Sequence, residues 1–290
     1  MAPTPRTTAH TLTPRDEQIL HLIYRYRFIT AEDLAYLLNA PNSLAYWRRR
    51  LSALAGGKDL QPNTWLCRIP LPGVGNPLRI FTLGSKARKY LQREAGVPVD
   101  WYFRPSHYRD VGSSHLRHSV LVTKLGVAAE YWSKRQSTYA LAQIRLGYEL
   151  ARTSAKVIPD LWLMFENNQG DKYPLMIELD RGMEFQAKFK RHVKARLTYI
   201  ESGEYSKAFS TPAVMIAYAT TGQLPEYRDT RRATITRWTQ EVLAEEKKEA
   251  WAGIFRFTSV TLDGVYGQGL FDRPVWHRPD AAQPVPLLHP

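Results

Sequence analysis

Cysteine is almost absent: Cys67 is the only one in 290 residues. That excludes an internal disulfide and a cysteine-based zinc site, and a reducing cytoplasm is the expected compartment. No apolar run approaches the ~18–20 residues of a membrane span. The opening residues 1–16 lack the apolar core of a secretory signal, so none is expected. There is no Gly-rich phosphate loop and no Gly-x-Ser-x-Gly elbow, which removes the nucleotide triphosphatase and serine hydrolase readings. Internal repeats and low-complexity segments are also missing. Acidic residues are few: 27 Asp and Glu face 40 Lys and Arg, a net charge of +13. A polycationic partner is excluded, and a polyanion, nucleic acid first, is expected.

What is present begins with 44% hydrophobic residues, enough for one large or two modest domains. The basic excess is uneven. Residues 1–110 carry 16 Lys and Arg against 8 Asp and Glu, and residues 111–290 carry 24 against 19. The N-terminal third is therefore the part expected to meet nucleic acid.

Residues 1–12, rich in Pro and Thr, read as a disordered tail. Residues 13–92 then read as a winged helix-turn-helix. Thr13-Pro14-Arg15-Asp16 has the cap, proline and acid of a helix start, and Ile19, Leu20, Ile23 and Tyr24 follow at helical spacing. Thr30 with Asp33 makes an acidic capping box for a second helix bearing Leu34, Leu37 and Leu38. Ser43 opens a third helix with Leu44, Trp47, Leu51 and Leu54 on one stripe, ended by Gly56-Gly57. A strand at Trp65–Ile69, a Pro/Gly-rich tip and a return strand at Leu78–Leu83 form the wing, and a basic helix follows. The recognition helix directs Arg48, Arg49 and Ser52 to double-stranded DNA in the major groove. Arg50, Arg68, Arg79, Lys86, Arg88 and Lys89 are the expected phosphate contacts. Winged helices also serve as protein-binding modules, and runs of arginine also occur as plain solvated faces, which are the bland alternatives. Residues 93–113 read as a linker, with Trp101-Tyr102-Phe103 pinning domain to domain.

Residues 114–265 read as an α/β (α+β) domain with a mixed sheet. The expected order is a helix from His115 to about Lys134, strands at Tyr139–Leu150, Val157–Phe165 and Tyr173–Asp180, a helix from Met183 to Glu201, and a strand at Pro212–Tyr218. A long helix at 231–251 and a strand at Ile254–Leu262 complete it. Residues 266–290 form a Pro-rich C-terminal tail. Asp160 opens one strand, while Glu178 and Asp180, two residues apart, share one face of the next. The hairpin between them brings the three carboxylates to one sheet end, an oxygen-rich set suited to Mg²⁺ or Mn²⁺, with Asp160 and Glu178 as ligands. Such an ion activates water against a phosphodiester. As bland alternatives, these acids pair with Arg181, Lys188 or Arg191, and His115 and His118 cap or pack. The run Lys188, Lys190, Arg191, His192, Lys194 and Arg196 contacts phosphates or forms a solvated face.

Pro159-Asp160, about 17 residues, then Glu178-x-Asp180 in this element order resembles the PD-(D/E)xK nuclease-like fold, similar to restriction endonucleases. In that fold the Asp and Glu hold metal and a following Lys handles the attacking water. Here Asp180 stands in the Lys position. Lys188, Lys190 and Lys194 lie on the next helix, and Lys194 joins Asp160, Glu178 and Asp180 among the catalytic candidates. A second resemblance is to the replication-relaxation family of plasmid and mobile-element accessory proteins of MobC type. It rests on Leu78-Arg79-Ile80-Phe81-Thr82-Leu83-Gly84-Ser85-Lys86-Ala87, Leu116-Arg117-His118, Ile158-Pro159-Asp160, Ile177-Glu178-Leu179-Asp180-Arg181-Gly182, and Lys194 with Tyr199. It implies DNA binding in replication, relaxation or mobilisation, with replication or relaxase proteins as partners; the alternative is a metal-dependent endonuclease. No membrane partner is expected. A sheet edge or the helix at 231–251 can serve a homodimer.

Overall fold

The computed structural model describes residues 12–71, 77–99, 112–222, 224–261 and 263–288. The expected tail up to residue 11, the expected wing tip at 72–76 and the aromatic patch at 101–103 lie outside the described residues. The chain divides into two compact units, Met1–Leu116 and Arg117–Pro290. It is a mixed α/β structure, with a two-stranded sheet in the first unit and a five-stranded mixed sheet in the second. Among the described residues no helix is long and apolar enough to cross a membrane.

In the first unit, α1 (Pro14–Tyr26) starts where the cap chemistry places it. Thr13 accepts from the Asp16 amide, and the Asp16 carboxylate accepts from Thr13 N–H at 2.9 Å. Thr30 and Asp33 repeat the box for α2 (Ala31–Leu37). Ser43 makes no such cap: a 3₁₀ turn at Pro41–Ser43 runs straight into α3 (Leu44–Leu54). β1 (Leu66–Leu71) and β2 (Leu78–Leu83) pair antiparallel, and α4 (Ser85–Arg93) follows. Ile29, between α1 and α2, bridges to Phe81 of β2 through two backbone hydrogen bonds of 3.0 and 2.8 Å. Ile19, Leu20, Ile23, Leu34, Trp47, Leu51, Leu54, Leu66, Ile80 and Leu91 are all buried and form the core. Each such side chain contributes roughly 1.5–3 kcal/mol. Gly84 belongs where it is because a Cβ there would meet the Thr64 carbonyl oxygen at 2.1 Å.

In the second unit the strands run in the order β3 (Tyr139–Leu146), β4 (Leu161–Asn167), β5 (Lys172–Asp180), β6 (Met215–Thr221), β7 (Phe255–Val260). The first three pair antiparallel and the last three parallel, which requires crossovers after β5 and β6. α7 (Gln186–Glu201) and α8 (Glu204–Phe209) make the first, and α9 (Pro225–Glu245) the second. The chain from Val157 to Asp160 is not strand, because β4 begins at Leu161; a short helix, α6 (Gly147–Leu150), ends β3 early. Trp162, Met164, Met176, Ile216, Tyr218 and Phe257 on one sheet face pack with Phe189, Val193 and Leu197 of α7 and Ile235 and Val242 of α9. On the other face Phe165 meets Trp132 of α5 (Ser113–Ser133) and Phe271 at ring distances of 5.6 Å each. Both faces are thus covered, which explains strands that are apolar nearly throughout. The Pro-rich C-terminal segment closes the β7 edge: Phe257 and His277 exchange backbone hydrogen bonds of 2.9 and 2.8 Å, and Trp276, Leu287 and Leu288 are buried.

Candidate nucleic-acid interface and carboxylate cleft

Three consecutive arginines on a helix lie about 100° apart from one to the next, and α3 gives them different fates. Arg48 and Arg49 are exposed and form no ion pair among the described residues. They share the outward face with Ala45, Tyr46 (49% exposed) and Ala53. Arg50 turns inward instead. Its Nε donates to Asp16 Oδ1 at 2.6 Å and its Nη2 to Asp16 Oδ2. Burial works against the Asp16 charge, but the Arg50 fork and the Thr13 groups outweigh it and hold the carboxyl below its usual range. Arg50, expected as a phosphate contact, is therefore occupied within its own unit, unlike Arg48 and Arg49.

Arg68 and Ser52 are also occupied. Arg68 is nearly buried, donating to Asp59, to Ser52 Oγ at 3.0 Å and to the Gly57 carbonyl at 2.8 Å. It ties α3 to β1 through the hydroxyl of a half-buried Ser52. Arg79, Lys86 and Lys89 stay exposed without an ion pair among the described residues; Arg88 is half-buried.

The carboxylates of the second unit do meet. The β4–β5 register pairs Leu161 with Ile177, so Asp160 arrives beside Glu178. Asp160, Glu178 and Asp180 line one cleft of about 380 Å³, together with His118, Lys188, His192 and Arg196. Each carboxylate there is already answered by the protein. Asp160 Oδ2 accepts from the Leu179 amide at 2.8 Å, and its Oδ1 lies 2.9 Å from His118 Nε2. Glu178 Oε1 accepts from Arg196 Nε at 3.1 Å and from Arg196 Nη2. Asp180 is held by both arms of Arg231, 2.8 Å each, and by the Gly182 amide at 2.7 Å. Burial, with the neighbouring Asp160 charge adding to it, pushes the Glu178 carboxyl up to about 7 against the pull of Arg196. Burial disfavours the Arg231 charge, yet the Asp180 bonds exceed it and hold that guanidinium above its usual range.

Lys194 does not join them. Its Nζ pairs with Glu245 at 3.1 Å and Glu246 at 2.8 Å, at the end of α9. Positions 194 and 196 are two apart on a helix, about 200° around its axis, so when Arg196 faces the sheet Lys194 faces away. Lys190 likewise pairs with Glu241 and Glu245 at 2.9 and 2.8 Å. Lys188 reaches the cleft but pairs with Glu184 at 3.0 Å. Of the bland pairings, neither Lys188 nor Arg191 takes Glu178 or Asp180: Arg196 and Arg231 do.

The donor set does not fit Mg²⁺ or Mn²⁺. Such ions need several anionic or carbonyl oxygens turned inward, and here a guanidinium fork is bound to Glu178 and another to Asp180. Among the described residues no group of three or more His, Cys, Asp or Glu is placed to hold a metal ion.

Arg231 is the residue that sequence reasoning misses. Its helix begins at Pro225, six residues before the expected start. Leu224-Pro225-Glu226, a proline at the first helical position followed by an acid, is the available signal. Gly182, at φ +73°, completes the arrangement: a Cβ there would stand 2.0 Å from the Tyr227 hydroxyl.

No family model, no curated protein and no solved structure matches this chain.

Proposed function

We propose that this chain is a duplex-DNA-binding protein that reads DNA through the outward face of α3, in the manner of a winged helix-turn-helix. The observation that carries the reading is the exposed, unpaired state of Arg48 and Arg49 beside an inward-turned Arg50. An arginine fork free of internal partners is suited to guanine edges or phosphates, and small or aromatic neighbours such as Ala45 and Tyr46 permit close approach to a groove. Arg79 on β2 and Lys86 and Lys89 on α4 extend the same unit's free positive charge. The order helix, bridging residue, helix, helix, strand, strand supports the winged form. The Glu178-Leu179-Asp180-Arg181-Gly182 segment supports a role of the replication-relaxation type, assisting replication, relaxation or mobilisation of a plasmid or mobile element.

In this reading the second unit, nuclease-like in element order, holds arginine–carboxylate pairs where a nuclease holds metal. The endonuclease alternative is less supported, since Asp180 is engaged by Arg231 and Lys194 points to α9. A gel-shift titration of the full chain on duplex DNA tests the proposal. Affinity is expected to fall with salt at a slope of about −0.9 per phosphate contact. It is expected to fall further in an Arg48→Ala/Arg49→Ala variant. No duplex affinity at low salt, or none lost in that variant, would sink it.

A further inference from the structure

A second cleft, of about 360 Å³, opens between the end of α5 and the segment that follows β7, both in the second unit. That volume lies within the roughly 300–1,000 Å³ over which clefts take small organic ligands. Its walls are aromatic and held in place. Trp132 packs against Phe271 at 5.4 Å between ring centroids, and its indole N–H donates to Asp272 Oδ2 at 3.0 Å. Tyr266 also lines the cleft, while Lys124, which does not, stands 4.8 Å from the centroid of the Tyr266 ring. A cation over a ring fixes that ring by attraction to its π face.

The lining is also cationic. The Arg135 guanidinium lies 5.1 Å from the centroid of Tyr131. Arg273 is exposed, and its methylenes cross Gly269, where a Cβ would come within 2.5 Å of Cδ. Gly269, at φ +63°, is thus the residue that lets Arg273 lie at the cleft. No ion pair among the described residues neutralises either arginine.

Rings for stacking, two guanidiniums for an anion and one carboxylate for an amine form a specific combination. A nucleotide presents all three complements: a flat base, a phosphate, and an exocyclic amino group on adenine, cytosine or guanine. We propose that this cleft binds one unpaired nucleotide, its base against Tyr266, its amino edge at Asp272 and its phosphate between Arg135 and Arg273. The nucleotide is either free or part of a single strand. The site belongs to the unit that does not contain α3, and the proposal does not rest on duplex reading by Arg48 and Arg49.

The test is fluorescence anisotropy of the full chain with a labelled single-stranded oligonucleotide of mixed sequence. A duplex arm and a competition arm with adenosine 5′-monophosphate run alongside. Tyr266→Leu is expected to weaken single-strand binding about tenfold, the loss of stacking on one base. Tyr266→Phe is expected to keep it. Arg135→Ala/Arg273→Ala is expected to weaken it similarly and to reduce the salt slope by about 0.7 per lost phosphate contact. Duplex affinity should hold in that variant. Competition by the mononucleotide assigns a free nucleotide; dependence on Tyr266 without competition assigns a strand. If Tyr266→Leu does not fold, the exposed arginine pair decides. Single-strand affinity unchanged in the Arg135→Ala/Arg273→Ala variant, or lost only together with duplex affinity in Arg48→Ala/Arg49→Ala, overturns the proposal. Failure of the duplex arm alone would count against α3 and not against this cleft.

Discussion

Arg48 and Arg49 of the first unit stand in solvent without an ion-pair partner among the described residues, whereas Arg196 and Arg231 of the second are buried against Glu178 and Asp180. Lys190 and Lys194 of the second unit are also paired, to acids at the end of α9. Both units are basic by composition, but a cation paired with an internal carboxylate has little charge left for a phosphate. Free charge, and not total charge, therefore distinguishes α3 from the carboxylate cleft of the second unit. The same contrast explains why acids gathered at one sheet end need not be a metal site: Glu178 and Asp180 serve as anchors for the helices that cross the sheet.

The largest effect is expected on the buried side. Arg231→Ala leaves Asp180 buried without its fork, and removing one member of a buried pair costs about 3–5 kcal/mol. A urea melt should show that loss, while duplex affinity, measured where the variant remains folded, should match wild type. A loss of affinity without a loss of stability would make Arg231 a DNA contact and erase the contrast between the units.

The next effect is in pH. The Glu178 carboxyl is raised from 4.5 to about 7 in the folded chain. The fold therefore binds that proton more tightly than the unfolded chain does. Its contribution to stability is full below about pH 4.5 and is lost as pH rises through 7, a span worth roughly 3 kcal/mol. Glu178→Gln cannot titrate. The stability of wild type relative to Glu178→Gln should decline between about pH 4.5 and 7 in urea melts at several pH values. A constant difference would mean that Arg196 keeps the carboxylate ionised throughout.

On the exposed side, Arg48→Ala and Arg49→Ala should each cost about 1–3 kcal/mol of binding if they reach base edges, and relax discrimination between sequences. Thermal stability should not change. Equal weakening on every sequence would assign them to phosphates. The smallest effect belongs to Lys194→Ala. Its ion pairs are exposed, and such pairs contribute little, so melting temperature and duplex affinity should both stay at wild-type values. A drop in affinity would restore Lys194 as a functional cation.

Much of the fold is legible because its signals are local. The Thr13–Asp16 and Thr30–Asp33 boxes are four-residue chemistry, and α1 and α2 begin where they say. The meeting of Asp160 with Glu178 is legible too, since a hairpin's register follows from its turn and its apolar pattern. Helix phase is harder. Arg48, Arg49 and Arg50 are identical in type, and the presence of Asp16 34 residues away singles out the third. Lys194 and Arg196 are both cations on one helix, and only the packing of α7 on the sheet and beside α9 separates their roles.

Caps, helical stripes, doubly buried strands, the positive balance and the exclusion of an internal disulfide all follow from the order of residues alone. They depend on neighbours within a few positions or on composition. Which charges are free is settled only when the chain has folded. Arg231 finds Asp180 across 51 residues and Arg196 finds Glu178 across 18. The aromatic cleft joins α5 to a segment far along the chain, beyond β7, a pairing that no local pattern encodes. An ion pair or a cleft is a property of two surfaces brought together, so members that no hairpin or helical turn links carry no mark of it in the linear chain.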